Sequence, residues 1–207
     1  NKMMKKQTNK LSFWLVGCLV MLGLSFAACN PGGDDNHTLT PEQQQQAYQQ
    51  ARGNYAGKLF FSRLDATNGN IVKDSSAIRW EINTDSTLII KAFPMRLFAE
   101  YVNDNALKAA LRNAPDQDIK CFTYYYNLNP VGFLISPVSP VFNLNYGGQD
   151  HKISIAFFIR NSYSFGVLNR ARLSQMQIIA ASLQVDAMSS TYLKKSVGFV
   201  FQGNGSR

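Results

Sequence analysis

The chain has 207 residues, 45% of them hydrophobic and 16% charged, and its formal net charge is +8. That length suffices for one domain with a sizeable core. Four of the 21 Lys and Arg residues lie within residues 1–28, which leaves 17 basic against 13 acidic residues, or +4. The later basic residues are scattered, with Lys194-Lys195 their only adjacent pair. A nucleic-acid groove needs clustered Lys and Arg, so we exclude nucleic acid as a partner.

The first 28 residues have the layout of a secretory signal peptide. Four lysines precede the apolar run Leu11–Phe26, and Ala27-Ala28-Cys29 follows it. A basic region, an apolar run and small residues at the cleavage point are typical of exported proteins. The Cys after two Ala residues resembles the lipobox of bacterial lipoproteins, although Phe26 replaces the Leu usually found three residues before the Cys. We predict a signal peptide over residues 1–28 and lipid attachment at Cys29.

Two other readings of this segment stay open, a plain signal peptide and an uncleaved membrane anchor. The apolar run is short against the roughly 20 residues of a spanning helix, and no positive charges follow it. Two or three acyl chains on Cys29 would give stable membrane attachment. The membrane is therefore the predicted partner, and the predicted location is the outer membrane of an exported lipoprotein.

Residues 29–39 read as a flexible tether, because Gly, Asp and Asn dominate them. Asp34-Asp35 resembles the acidic export tag of surface-displayed lipoproteins, so the cell surface and the periplasmic face both stay open. Residues 40–207 are predicted to form a single globular domain.

A short helix is predicted to open the domain. Thr40 and Gln43 form a T-x-x-Q capping box and Pro41 suits the first turn. Gly53 is a suitable stop. Tyr48 gives the helix a modest apolar stripe, which favours a lid docked on the domain over a partner-binding helix.

From Asn54 onward, alternating apolar and polar residues predict antiparallel strands. A second helical region is predicted from Pro94 to about Asn113, interrupted at residues 103–105. Residues 161–172 are read as a loop. The predicted fold class is α+β: a mainly antiparallel β-sheet of eight or nine strands with one or two packed helices. A lipocalin-like or sandwich all-β fold is the alternative. The predicted strands cover residues 55–63, 76–83, 87–92, 119–128, 131–136, 141–146, 152–160, 175–187 and 197–202.

The order of these parts resembles a known family. A lipobox and an Asp-rich tether precede a G-x-Y-x-G-K opening at residues 53–58 and an IIKAFP segment at Ile89–Pro94. Together they resemble small lipoproteins of gut anaerobes catalogued as domain of unknown function 4840. The resemblance spans roughly Thr40 to Gln202 and implies an exported α+β domain of antiparallel strands. It carries no activity, so no functional residue can be transferred.

No catalytic signature stands out. Cys121 lies in an apolar run, which favours a buried, inert thiol over a nucleophile. His37 and His151 have no His or Cys partner at ligand spacing, so we predict no metal site and no cofactor. Glu81, beside Arg79 on a polar strand face, favours an ordinary cross-strand ion pair over the acid or base of a hydrolase.

Aromatic residues are the one enrichment. Tyr124, Tyr125 and Tyr126 must alternate between the two faces of one strand. Rings exposed on one face could form a stacking platform for a glycan or peptide. The candidate ligand-stacking residues are Tyr125, Tyr146, Tyr163 and Phe165. A core that simply uses aromatic residues is the alternative.

Three functions follow as hypotheses. The first is a lipid-anchored, non-enzymatic module of the cell envelope that binds a glycan, a peptide or an envelope protein. The second is an envelope hydrolase with an unrecognised site, and the third is a purely structural lipoprotein. An enzyme should bring several ionisable groups into one cleft, whereas a binding module should expose a large aromatic patch.

Overall fold

The structure, a computed structural model, describes residues 38–64, 67–68, 70–159 and 163–206. Its helices are α1 (Pro41–Ala51), a 3-10 helix (Met95–Tyr101) and α2 (Asn105–Arg112). Its strands are β1 (Gly53–Leu64), β2 (Ile71–Thr84), β3 (Thr87–Phe93), β4 (Gln117–Leu128), β5 (Val131–Pro137), β6 (Val141–Tyr146), β7 (Gln149–Phe157), β8 (Phe165–Leu168), β9 (Leu173–Val185) and β10 (Val197–Ser206). None of the helices in these ranges is long and apolar enough to cross a membrane.

Eight strands close into an antiparallel barrel in the order β1-β2-β3-β4-β5-β8-β9-β10. The closure is the pairing of β10 with both β1 and β9. The long strand β9 pairs first with β8 and then with β7, which leaves the hairpin of β6 and β7 outside the barrel. The predicted mainly antiparallel α+β class is confirmed.

The described ranges hold one strand more than the nine predicted. The additional strand is β8, which lies within residues 161–172, the segment read as a loop. Its four residues, FGVL, are too few to show an alternating pattern.

Alternate residues of the strands fill the barrel interior. In β2, Ile78, Trp80 and Ile82 point inward and are buried, as the alternation predicted. Trp80 stacks on Tyr55 with ring centroids 5.5 Å apart. Such aromatic pairs add about 0.5–1.5 kcal/mol beyond the area they bury, so the interior is an aromatic core.

Helix α1 is held against the barrel, as the lid hypothesis required. The predicted capping box is present, since the Thr40 amide donates to Gln43 Oε1 and the Gln43 amide donates to Thr40 Oγ1. Ala47 and Ala51 are fully buried, and the helix packs against β4 and β5. The Tyr48 hydroxyl donates to the Asn83 carbonyl at 2.9 Å.

A second attachment of α1, which the sequence did not reveal, is Arg172. Its guanidinium donates to the carbonyls of Gln50 and Arg52 at 3.0 and 2.9 Å. These carbonyls belong to the C-terminal end of the helix, where a cation is favourable. The same guanidinium lies over the Tyr55 ring, 5.4 Å from its centroid. Arg172 therefore joins the helix end to the barrel wall.

The second helical region is split as predicted. The 3-10 helix ends at Tyr101, and α2 begins after Asp104, whose Oδ1 accepts from the Leu107 amide at 2.7 Å. Phe98 packs its ring edge-on against Phe199, with centroids 5.4 Å apart. The region thus seals part of the barrel interior.

Candidate functional site

Strand β4 carries three exposed aromatic rings on its outward face. Phe122, Tyr124 and Tyr126 expose 50, 40 and 42% of their surface. Residues two apart in a strand point to the same face, about 7 Å from one another. We call these three residues the aromatic strip. Large exposed apolar surface on a folded domain marks an interaction site more often than isolated exposed residues do.

The neighbouring strands widen the strip into a patch. Tyr124 lies opposite Leu134 of β5, and Leu134 lies opposite Phe165 of β8. Both neighbours are partly exposed on the outside of the barrel. Paired strands are about 4.8 Å apart, so the apolar surface extends roughly 10 Å sideways from Tyr124 to Phe165.

Gly132 leaves room for the ring of Tyr126 to lie close to the barrel wall. A Cβ atom on Gly132 would lie only 2.7 Å from the Tyr126 ring atoms. The ring therefore occupies the space that any other residue at position 132 would fill. Burial of one side of the ring raises the pKa of Tyr126. A ring fixed in this way loses little conformational freedom when a ligand stacks on its exposed side.

The charge around the strip is slight. From Lys120 to Tyr126, the outward positions of β4 carry one cation and no carboxylate. The Lys120 ammonium lies over the Phe122 ring at 5.2 Å from its centroid. Further along, Asp118 binds the Lys91 ammonium and the Ala92 amide. The strip thus presents the rings and hydroxyls of Tyr124 and Tyr126, together with the Phe122 ring, over which the Lys120 ammonium lies.

One predicted stacking residue, Tyr125, is placed wrongly for that role. Its side chain points into the barrel and is only 1% exposed, because it alternates with Tyr124 and Tyr126. Its ring packs against Phe133, with centroids 5.8 Å apart. Burial raises the pKa of Tyr125. The outward neighbours of Tyr125 form the exposed platform, and Tyr125 itself belongs to the core.

The other three predicted stacking residues fall in two places. Phe165 belongs to the patch beside Leu134. Tyr163 lies just before it, exposed, with its ring 5.1 Å from that of Phe158. Tyr146 lies at the tip of the β6–β7 hairpin, where it stacks on the His151 ring at 4.1 Å. The structure therefore brings one of the four residues, Phe165, to the patch, and places Tyr163 against Phe158 two positions before it.

Among the described residues, one histidine–carboxylate pair could act as an acid-base pair in a hydrolase. His151 Nδ1 lies 2.7 Å from Asp186 Oδ2, a pair that the sequence did not reveal because 35 positions separate the two. Within the described ranges, this is the one hydrogen bond of the His151 side chain, and no serine, threonine or cysteine joins it. A base held by a carboxylate needs a nucleophile to become catalytic.

The remaining ionisable candidates are structural. Glu81 forms the predicted cross-strand ion pair, with Lys91 of β3 at 2.9 Å. Lys91 lies directly across the ladder from Arg79, so its ammonium can reach the carboxylate from the neighbouring strand. Cys121 is buried, and that burial raises its pKa, as expected for an inert thiol. No group of three metal-ligating side chains occurs in the described part of the chain. Cys29 and His37 lie outside the described residues.

Comparison with known proteins gives a family and no activity. The family model described as Domain of unknown function (DUF4840) matches residues 50–185. No curated protein matches the chain. One solved structure, described as the crystal structure of ywiB protein from Bacillus subtilis, is 5% identical with a TM-score of 0.28, over 76% of this chain and 94% of that one. A likeness this weak carries no argument.

Proposed function

We propose a function from the premise that the chain belongs to the DUF4840 family, whose description records no activity. The protein is a lipid-anchored, non-enzymatic module of the bacterial outer membrane that binds a neutral glycan. The observation that carries the proposal is the aromatic strip: three exposed rings on one face of β4, with no carboxylate among the outward positions from Lys120 to Tyr126.

The strip suits sugar rings for a physical reason. A sugar ring has an apolar face that can stack on an aromatic ring, and hydroxyl groups at its edge that need polar partners. Tyr124 and Tyr126 supply both, since a tyrosine joins a large apolar ring to a hydroxyl that donates and accepts. The absence of carboxylate along the strip favours an uncharged chain over a cationic one.

A peptide is the weaker occupant. Extended peptides usually bind by adding a strand to a free sheet edge. In the described ranges, β6 is the one strand with a neighbour on a single side, and α2 packs against it. Covering an edge with a helix is a common protection against such pairing. Residues 71–78 of β2 pair with β1 and have no partner in β3, so they are the sheet edge open to a peptide. Ring stacking on the strip needs no sheet edge, and it is the mode that the exposed rings of β4 favour.

Binding to a panel of soluble hexasaccharides and one hexapeptide tests the glycan proposal. The panel contains neutral glucose, mannose and xylose chains, an acidic galacturonate chain and an extended hexapeptide. We expect the full chain to bind at least one neutral chain more tightly than the acidic chain and the peptide. The double variant Tyr124→Ala/Tyr126→Ala should lose that binding, while Tyr146→Ala, matched in ring but off the strip, should keep it. Equal binding by the double variant would contradict the proposal.

The lipid anchor rests on Ala27-Ala28-Cys29 and is tested separately. Cells expressing the chain should incorporate labelled palmitate into it, and Cys29→Ala should abolish the label, while Cys121→Ala should retain it. Label that persists in Cys29→Ala would contradict attachment at that sulfur. The glycan proposal would be unaffected.

A further inference from the structure

A pocket of about 270 Å³ lies between the β1–β2 hairpin, the 3-10 helix and the segment that leads into β10. This volume lies just below the roughly 300–1,000 Å³ of pockets for drug-sized ligands, so the pocket suits only a small molecule. Its lining residues are Ser62, Arg63, Ile71, Glu100, Tyr101, Lys194 and Lys195. Lys194 and Lys195 are the only adjacent basic residues between positions 29 and 207, and they do not belong to the aromatic strip.

The basic side chains of the pocket outnumber its acid. Glu100 is the one carboxylate in the lining, and it is engaged by Arg112 at 3.1 Å and Lys108 at 3.4 Å. Arg63 pairs with Asp74 at 2.6 Å. Neither Lys194 nor Lys195 forms an ion pair with any acid in the described ranges. Two adjacent lysines therefore line the pocket, and neither is paired with a carboxylate in the part of the chain that the structure describes.

The backbone around these lysines is fixed. The Lys194 amide donates to the Tyr101 carbonyl at 2.9 Å, and Leu193 forms a β-bridge with Val102. The Tyr101 hydroxyl in turn donates to the Ser62 carbonyl. The lysine segment, the 3-10 helix and β1 are thereby connected, so the backbone that carries the two lysines is fixed beside the pocket.

The rest of the pocket has an apolar wall. Ile71 exposes 53% of its surface although it opens a strand, and the Tyr101 ring lies at the same pocket. An exposed isoleucine beside unpaired cations offers a surface for an apolar chain next to a site for its charged head.

We propose that this pocket binds a small amphiphilic anion, with its head on Lys194 and Lys195 and its apolar tail along Ile71 and Tyr101. The head can be a carboxylate or a phosphate, since both accept from ammonium groups. This site is separate from the strip and does not depend on the glycan proposal.

Equilibrium dialysis of the full chain in lipid nanodiscs, with empty nanodiscs as the blank, tests the proposal. The probes are octanoate, octyl phosphate, octanol and inorganic phosphate. We expect octanoate or octyl phosphate to bind at least tenfold more tightly than octanol and inorganic phosphate, and the tighter of the two identifies the head. Octanol binding as tightly as the anions would contradict the charged site. Inorganic phosphate binding as tightly as octyl phosphate would contradict the apolar wall.

Variants locate the binding. Lys194→Ala/Lys195→Ala removes both cations that would hold the anionic head, so it should weaken binding of the tighter anion about tenfold. The double variant Lys58→Ala/Lys152→Ala makes the same change in net charge elsewhere on the surface and should alter it less than twofold. Ile71→Ser should weaken the octyl anion and leave inorganic phosphate unchanged. Equal losses in the two double lysine variants would overturn the site.

Discussion

Tyrosines on the two faces of β4 have different surroundings, because one face lies in the barrel core and the other is exposed to solvent. Tyr125 points into the barrel, where it packs on Phe133 and is almost inaccessible to water. Tyr124 and Tyr126, its immediate neighbours, point outward and expose about two fifths of their surface. The comparison shows that residue type alone does not decide whether an aromatic side chain lies in the core or on the surface. The direction in which the side chain leaves the strand decides it.

The largest expected effect is inside the barrel. Tyr125→Ala should lower the free energy of unfolding by about 3–5 kcal/mol, because it leaves a large cavity in the core. Tyr125→Phe should leave stability unchanged or slightly higher, since the Tyr125 hydroxyl is buried without a hydrogen-bond partner in the described ranges. Urea unfolding of both variants measures this. A small loss for Tyr125→Ala would place its ring outside the core.

A second interior hydroxyl extends the comparison to alkaline pH. Burial, reinforced by Glu100, raises the pKa of Tyr101 to about 12, against roughly 10 in the unfolded chain. Its contribution to stability is therefore complete below about pH 10 and is lost as the pH rises toward 12, by about 2 kcal/mol.

Tyr101→Phe isolates this loss, because it removes the ionisable group and keeps the ring. Between about pH 9 and pH 12, the free energy of unfolding should fall by about 2 kcal/mol more in the wild type than in the variant. Urea unfolding across that range gives the difference. Parallel curves for the two proteins would show that Tyr101 ionises as easily when folded.

The smallest expected effect belongs to an exposed pair. The hydrogen bond from His151, reinforced by the Lys152 amide, lowers the pKa of Asp186. Stability from Asp186 is therefore present above its unfolded pKa of about 3.9 and is lost as the pH falls through its lower folded pKa. Asp186→Asn should flatten the acid side of the stability profile slightly. Identical stability profiles at acid pH for the wild type and Asp186→Asn would show that the pair of His151 and Asp186 does not contribute to stability.

Much of the fold was predictable because its signals are local. The Thr40 capping box, the alternation in β2 and the break before α2 each depend on residues close in sequence. Barrel closure was contained only in the lipocalin-like alternative, because it requires β10 to pair with both β1 and β9 and no local pattern shows such pairing. Arg172 reaches the carbonyl of Gln50 from more than a hundred positions away, and short-range patterns do not carry such contacts.

The site was predictable only in outline. Alternation showed that the tyrosines of β4 face two ways, but only the closed barrel decides which way is inward, so Tyr125 was chosen where Tyr124 and Tyr126 form the surface. Phe165 lies beside Leu134 because β8 pairs with β5, and β8 is too short to recognise from its sequence. The basic pocket depends on the approach of Lys194 to Tyr101, which no sequence pattern indicates.

The aromatic strip is the central claim, and one calorimetric titration tests it most directly. The full chain and its Tyr124→Ala, Tyr126→Ala and Tyr146→Ala variants are titrated with the neutral hexasaccharide that binds best. Loss of one stacking contact of about 0.5–1.5 kcal/mol predicts a roughly 2- to 13-fold weaker Kd for each strip variant. The free energy of unfolding should fall by about 1 kcal/mol or less in each strip variant, since both rings are only partly buried, and Tyr146→Ala should bind as the wild type does. Unchanged affinity in both strip variants, or an equal loss in Tyr146→Ala, would contradict the account.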